Sequence, residues 1–239
     1  MAVMSILVGV SPGGQGHFAV CSLFWPGKLP ALLIRSRVYS GVDAALDDIV
    51  GVCGEWGELG AVVINAPLSW SGSPGGWRPA DKLLARIAAP WMPRSWFRAP
   101  NAMPGAIAVQ GAALAWVLSQ EIKSGHLPSH RLLETHGRLA LARIADDLRS
   151  ELMTYRDRRH PAETRKRAAA TLAERCVDTG LIRLETEPPT ASDEVDALAA
   201  CVVGLGANYP ETGLMIEELA PGDIRPVGRR PIAVLQALP

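Results

Sequence analysis

The sequence predicts a mixed α/β fold, in which a three-stranded antiparallel meander precedes helices and parallel strands. Three apolar, β-rich runs open the chain, from Ser5 to Val10, from His17 to Phe24 and from Ala31 to Val38. Proline and glycine residues separate these runs, as turns between neighbouring antiparallel strands require. A helical pattern and a short, continuously apolar run follow, which is typical of a crossover to a buried parallel strand.

The first helix is predicted over Val42 to Trp56, where apolar residues recur at helical spacing before two glycines interrupt the pattern. The fourth strand follows from Ala61 to Asn65, and the crossover places its carboxyl end near that of the first strand. From Ala66 to Pro104 the chain is rich in Pro, Gly, Ser and Trp, with one short helical stretch from Pro79 to Ala88. A segment of this kind predicts a long insertion that borders a cleft.

The second half of the chain is predicted to be mostly helical, because its apolar residues again follow a helical period. One short apolar run, Arg131 to Thr135, predicts a fifth strand that carries an acidic residue near its end. Two edge strands are predicted in the tail between Ile216 and Leu235. The predicted helices of this half are Gly105 to Lys123, Leu139 to Tyr155, Glu163 to Asp178 and Asp193 to about Gly206.

Length and composition favour a single domain that spans residues 1–239. The chain is 48% hydrophobic, which is enough for one sizeable core, and its formal net charge of zero provides no global attraction to nucleic acid or to an anionic membrane. The four cysteines are widely spaced and form no CxxC pair, which argues against a zinc site and a disulfide framework. No apolar run reaches the ~18 residues of a membrane span, and the N-terminus lacks the basic start of a signal peptide. We therefore expect a cytoplasmic protein with no membrane partner; its oligomeric state does not follow from the sequence.

An acidic cluster opens the last predicted helix. Asp193 and Asp196 are three residues apart, so both carboxylates lie on one side of the helix and can face a cleft, whereas Glu194 points elsewhere. In the alternative interpretation, Ser192 caps the helix and the acids only complement its positive N-terminal dipole.

Glu134 ends the predicted fifth strand, a position from which side chains often line α/β clefts. It could be a ligand of a hard cation together with Asp196. Alternatively, it pairs at the surface with Arg131 or Arg138.

Basic and aromatic residues of the chain suggest contacts with phosphate. Arg78, with Asp81 to orient it, could hold a phosphate, and the adjacent Trp77 could stack on a base. A local ion pair is the alternative for Arg78 and Asp81. The basic stretch from Arg156 to Arg167 could grip a phosphate backbone, although a solvated helix face balanced by nearby acids is the favoured interpretation.

Taken in order along the chain, five segments resemble the family of predicted RNase H-like nucleases called domain of unknown function 429. In that family the first strand ends in Gly-Val/Ile-Asp, the fourth reads Ile-Asp-Ala-Pro-Leu, and a later segment reads Glu-Thr/Val-His/Tyr-Pro. The resemblance extends from Ser5 to about Leu205. The segments that carry it are Val8-Gly9-Val10-Ser11 with Gly13-Gly14, Val63-Ile64-Asn65-Ala66-Pro67-Leu68, Arg78 with Asp81, Leu133-Glu134-Thr135-His136-Gly137-Arg138-Leu139, and Asp193-Glu194-Val195-Asp196-Ala197-Leu198.

The resemblance implies an RNase H-like mixed sheet flanked by helices, and hydrolysis of a phosphodiester with two divalent metal ions in a carboxylate-lined cleft. Ser11 and Asn65 stand where the family has aspartates, and Gly137 stands in place of the proline.

Two functions therefore remain open. In the first, the protein is a nuclease in which Glu134 and Asp196 hold Mg²⁺ or Mn²⁺, Asp193 acts as a ligand or base, and Asn65 positions the substrate in a cleft that also contains Ser11. Arg78 would then neutralise the phosphate. In the second, the protein is a non-catalytic RNase H-like module that binds nucleic acid, a nucleotide or a protein partner.

Overall fold

The structure, a computed structural model, describes residues 4–14, 16–93, 96–97, 99–100, 106–128 and 130–238. Within these ranges eight strands form one sheet and seven α-helices pack around it. The strands are β1 Ser5–Pro12, β2 His17–Trp25, β3 Ala31–Ser40, β4 Glu58–Ile64, β5 Arg131–Glu134, β6 Ile182–Leu184, β7 Met215–Leu219 and β8 Ile232–Ala237. The helices are α1 Val42–Trp56, α2 Pro79–Ile87, α3 Ile107–Ser124, α4 Gly137–Ile144, α5 Arg149–Thr154, α6 Ala162–Asp178 and α7 Ser192–Asn208.

The strand order is β6-β3-β2-β1-β4-β5-β8-β7. Strands β1, β2 and β3 form the antiparallel meander, β4 lies parallel to β1, and β5 lies parallel to β4. This arrangement confirms the predicted fold class, a mixed sheet with an antiparallel meander and parallel strands. The central order β3-β2-β1-β4-β5 is that of an RNase H-like fold.

Apolar residues of β1 alternate between two layers of helices. Leu7 belongs to the core beneath α4, α6 and α7, whereas Ile6 and Val8 belong to the core beneath α1 and α3. Because both faces of the central strands are covered, those strands carry an almost continuous apolar run and not an alternating one. None of the helices in the described ranges combines the length and apolar character that a membrane crossing requires.

The helix α7 crosses β1 at Gly9, where the two backbones come unusually close. A Cβ atom at this position would lie 2.0 Å from the carbonyl oxygen of Ala197 and 2.7 Å from the amide nitrogen of Cys201. Only glycine permits this approach, which seats α7 on the sheet with its residues from Val195 to Gly206 buried. The first turn of α7 thereby reaches the edge of the sheet where β1, β4 and β5 end.

Several elements differ from the predictions. The predicted helix from Leu139 to Tyr155 is two helices, α4 and α5. The tail strand β8 is not at an edge, because it lies between β5 and β7. The short strand β6 was not predicted, and the predicted start of α3, Gly105, lies outside the described residues, as does part of the predicted insertion.

The start of α7 also differs from the capping interpretation. Ser192 is the first helical residue and makes no capping hydrogen bond; Ala191 occupies the N-cap position. The carboxylate of Glu194 accepts a hydrogen bond from the Ala191 backbone nitrogen at 3.2 Å, and its other oxygen accepts one from the Ser36 hydroxyl at 3.1 Å. Glu194 therefore stabilises the helix start and faces away from the cleft, as the spacing predicted.

Candidate functional site

The carboxyl ends of β1, β4 and β5 border a cavity of about 340 Å³. Parallel strands place these ends at one edge of the sheet, and the register sets Val10, Ile64 and Glu134 side by side. Six of the predicted site residues line the cavity, whereas Trp77 and Asp193 are not part of its lining. The six are Ser11, Asn65, Arg78, Asp81, Glu134 and Asp196.

Arg78 and Glu134 form a buried, bidentate ion pair in this cavity. Arg78 Nη2 lies 2.6 Å from Glu134 Oε1, and Arg78 Nη1 lies 2.8 Å from Glu134 Oε2. Nε of the same guanidinium donates to Asp81 at 3.0 Å, and Nη1 also donates to the Ser69 hydroxyl at 3.0 Å. The side chains of Arg78 and Glu134 are only 2% and 4% exposed.

This geometry corrects two predictions. Arg78 is not a rim group with donors available for a phosphate, because Glu134, Asp81 and Ser69 already occupy them. Glu134 does not pair at the surface with Arg131 or Arg138 but with Arg78, and its Oε2 also accepts a hydrogen bond from the Leu68 backbone at 2.8 Å.

Charge and burial oppose each other in this pair. Burial disfavours the charged guanidinium of Arg78, but the carboxylates of Glu134 and Asp81 outweigh that effect and raise its pKa. Burial raises the pKa of Glu134, although Arg78 and the Leu68 backbone act to lower it. Because two charge-assisted hydrogen bonds hold both partners, the two side chains are retained as an ion pair.

A second arginine bridges the two acids of α7. The two terminal amino groups of Arg156 contact Asp196 and Asp193, one each. Asp196 is 1% exposed and accepts a further hydrogen bond from the Tyr155 hydroxyl at 2.7 Å. Burial raises the pKa of Asp193, and Arg156 acts against that shift. The positive charge between these carboxylates is therefore a guanidinium of the chain itself.

Asn65 connects Asp196 to β1 and α4. Its Oδ1 accepts a hydrogen bond from the Gly137 backbone nitrogen at 2.7 Å, and its Nδ2 donates to Ser11 Oγ at 3.1 Å and to Asp196 Oδ2 at 3.4 Å. An aspartate could accept from Gly137 but could donate neither of the other two hydrogen bonds. The amide thus suits a site in which Asp196 lies close by as a hydrogen-bond acceptor.

The donor set does not fit the predicted Mg²⁺ or Mn²⁺ site. Within the described ranges, no group of three or more His, Cys, Asp or Glu side chains is placed to hold a metal ion. Glu134 is bound by Arg78, and Asp196 is bound by Arg156, Tyr155 and Asn65. A divalent ion shared by Glu134 and Asp196 would have to displace both arginines.

Arg156 was not predicted as a cleft residue. It begins the basic stretch interpreted as a solvated helix face, and that interpretation fits its neighbour Arg159, whose side chain is 88% exposed and pairs with Asp157. Nothing in the sequence distinguishes Arg156 from the other arginines of this stretch, because its partners are 37 and 40 residues away along the chain.

Two further side chains of the lining were also missed, and each contacts an aromatic ring. The His136 ring stacks on Phe97 with 4.6 Å between centroids. The guanidinium of Arg138 lies over the Trp96 ring at 4.2 Å, and its Nε donates to the Tyr155 hydroxyl at 3.2 Å. These residues make one wall of the cavity aromatic and basic.

His136 is uncharged at neutral pH. Burial lowers its pKa to about 4, and the nearby Arg138 contributes in the same direction. Its Nδ1 accepts a hydrogen bond from the Leu139 backbone nitrogen at 3.3 Å and so caps α4. The proton of the neutral ring is therefore carried by Nε2.

The predicted stacking residue Trp77 is partly buried and packs against the core beneath α4, α6 and α7. It is a packing residue in this structure, and Trp96 is the tryptophan that lines the cavity.

No protein-family model and no curated protein matches the chain. A solved structure described as "T. thermophilus RuvC in complex with Holliday junction substrate" is similar over 95% of this chain and 99% of that chain. The two share 14% sequence identity, with a TM-score of 0.40.

Proposed function

We propose that this chain is a non-catalytic RNase H-like module that binds a ligand of the nucleotide class in its cleft. The observation that carries the proposal is the guanidinium of Arg156 between Asp193 and Asp196. Two-metal hydrolysis needs carboxylates that are free to bridge cations, and here a side chain of the protein supplies the positive charge. The neutral Asn65, which donates to Asp196, supports the same conclusion.

The competing proposal is a divalent-metal nuclease of the domain of unknown function 429 family. Its support is that Glu134 and Asp196 line one cavity together with Ser11 and Asn65. Such an enzyme would use Mg²⁺ or Mn²⁺, and both arginines would have to swing away before either metal could bind. Moving Arg78 would leave a buried charge without its partners, which is costly.

Calorimetric titration with Mn²⁺ separates the two proposals. We expect no binding to the wild-type protein, and binding to Arg156→Ala, because that substitution leaves Asp193 and Asp196 without a cation. Arg159→Ala is the matched control, since it removes an exposed arginine of the same stretch and leaves the cleft unchanged. We expect it to behave as the wild type.

A cleavage assay completes the test. The wild-type protein is incubated with single-stranded and duplex DNA and RNA in the presence of Mn²⁺. We expect no cleavage. Cleavage that Asp196→Asn abolishes, together with Mn²⁺ binding to the wild type, would overturn the non-catalytic proposal in favour of the nuclease.

We also propose that residues 1–239 form one domain and that the protein is located in the cytoplasm. Strands from both ends of the chain joined in one sheet support the first point. The second is supported by the four cysteines, which are all free thiols.

A further inference from the structure

We propose that the cleft binds a single nucleoside monophosphate, with its phosphate on Arg138 and its base against the Phe97–His136 pair. This inference rests on the proposed function, because it requires a cleft whose carboxylates remain paired with arginines. It adds the size of the ligand, its charged group and the residues that hold each part.

Among the arginines of the cavity wall in the described residues, Arg138 is the one with unpaired hydrogen-bond donors. Arg78 and Arg156 are each held by two carboxylates. Arg138 instead lies over Trp96 and donates to Tyr155 through Nε. Within the described part of the chain, its two terminal amino groups have no hydrogen-bonding partner. A guanidinium fixed on an aromatic ring, with both Nη groups available, matches the bidentate recognition of a phosphate.

The aromatic pair beside Arg138 suits a planar ring. Phe97 and His136 both line the cavity, and their rings are stacked with 23° between the planes. The two stacked rings offer a flat surface that a planar base can cover. Stacking of this kind tolerates any base, and the Nε2 hydrogen of His136 adds a donor.

The carboxylates of the lining repel an anion less than unpaired carboxylates would. Glu134 and Asp81 are paired with Arg78, and Asp196 is paired with Arg156. The phosphate therefore meets an uncompensated positive group at Arg138 and compensated acids elsewhere. Loss of either ion pair would weaken the site.

The size of the cavity limits the ligand to one nucleotide. A cavity of about 340 Å³ is at the small end of the range for small-molecule sites, roughly 300–1,000 Å³. It cannot enclose a duplex, whose recognition also needs an extended basic surface, and the chain as a whole has no net charge.

The inference is tested by calorimetry with AMP, UMP, adenosine and sodium benzoate as probes. We expect AMP or UMP to bind the wild-type protein, and we expect adenosine to bind about 10-fold more weakly than AMP, or weaker still, because it lacks the group that Arg138 holds. Arg138→Gln should reduce the affinity for AMP to that for adenosine and leave the affinity for adenosine unchanged. Phe97→Ala should lower the affinities for AMP and for adenosine by the same factor.

Arg143→Gln is the matched control, because Arg143 lies over Trp91 at 4.3 Å, in the same way as Arg138 lies over Trp96, but outside this cavity. It should bind AMP as the wild type does. Thermal unfolding followed by circular dichroism identifies a variant that fails to fold, and Arg138→Lys then serves in place of Arg138→Gln, with a smaller loss.

Three results would overturn the inference: no binding of AMP or UMP, equal loss of affinity in the Arg138 and Arg143 variants, or binding of benzoate alone. Each can occur without Mn²⁺ binding or cleavage, so failure of the nucleotide site is distinguishable from failure of the non-catalytic proposal.

Discussion

At the scale of single residues, the cleft is organised by arginines that each hold two carboxylates. Arg78 joins Glu134 to Asp81, and Arg156 joins Asp193 to Asp196. A buried ion pair adds little net stability compared with apolar residues of the same volume, but removing one partner leaves an uncompensated charge. The pairs therefore fix the geometry of the cleft more than they stabilise the fold.

The cost of removing one partner of a buried ion pair predicts the effect of Glu134→Gln. We expect the substitution to lower the free energy of unfolding by about 3 kcal/mol, because Arg78 keeps its charge in the interior and loses a carboxylate. Urea denaturation measures the change. The control is Glu185→Gln, which breaks the Arg183–Glu185 pair, whose side chains are 63% and 43% exposed; we expect a loss of about 0–1 kcal/mol. Equal losses in the two variants would contradict the structural importance of the buried pair.

At the scale of elements, the contact between β1 and α7 sets the position of the acids. Gly9 allows the two backbones to touch, and the first turn of α7 lies beyond that contact. A side chain at position 9 would push the helix away from the sheet, and with it Asp193 and Asp196.

We therefore expect Gly9→Ala to destabilise the fold by about 3 kcal/mol, since the added Cβ meets backbone atoms that cannot rotate aside. Gly51→Ala is the control within a helix. A Cβ at Gly51 meets nothing within 4 Å, so that substitution should stabilise α1 by about 0.5–1 kcal/mol. Thermal denaturation of both variants checks the prediction, which fails if Gly9→Ala unfolds at the wild-type temperature.

The cap of α4 gives a prediction about pH. The folded state holds His136 neutral down to about pH 4, whereas in the unfolded chain the ring takes up a proton near its usual pKa of 6.5. Lowering the pH from 7 to 4 therefore favours the unfolded state, and the contribution of His136 to stability is lost in this window.

His136→Asn tests this effect, because asparagine can cap a helix and does not titrate. We expect the urea midpoint of the variant to fall less than that of the wild type between pH 7 and pH 5. Burial raises the pKa values of Glu134 and Asp193, so their protonation at lower pH favours the folded state, opposite to the effect of His136. Both acids are present in the wild type and in the variant, so their effect is common to the two curves. Parallel pH curves for the two proteins would exclude His136 as the source.

At the scale of the whole molecule, the C-terminal hairpin completes the sheet beside the cleft. The strand β8 lies between β5 and β7, and its residues Ile232 to Leu235 are at most 4% exposed. The backbone nitrogen of Glu134 donates to the Pro231 carbonyl at 3.0 Å, and the Thr135 hydroxyl donates to the Ala233 carbonyl at 2.9 Å. The tail thus supports the strand that carries Glu134.

A chain that ends at Gly213 should consequently lose cooperative unfolding, because removing β8 exposes the apolar face of the sheet and the edge of β5. Denaturation followed by circular dichroism measures cooperativity. Met215→Ser, which changes a residue of the same hairpin that is 62% exposed, should stay within about 0.5 kcal/mol of the wild type. A cooperative transition in the shortened chain would show that β8 is dispensable.

The sequence by itself determined the local elements and the fold class. The limits of α1 are those predicted, Val42–Trp56, and the meander of β1, β2 and β3 follows the predicted runs, because periodicity and turn residues act over a few neighbouring positions. The sequence also identified the polar residues at the strand ends. Parallel pairing of the strands then predicts that these residues meet at one edge of the sheet.

Only the tertiary structure decided what these residues contact. Glu134 meets an arginine 56 positions away, and Asp196 meets one 40 positions away, and no short-range pattern specifies such partners. Charge pairing in a buried cleft depends on which side chains fold into the same space, because each carboxylate there must find a cation or lose its charge. For this reason the sequence shows Arg156 only as part of a basic stretch. Its position between Asp193 and Asp196 is visible only in the folded structure.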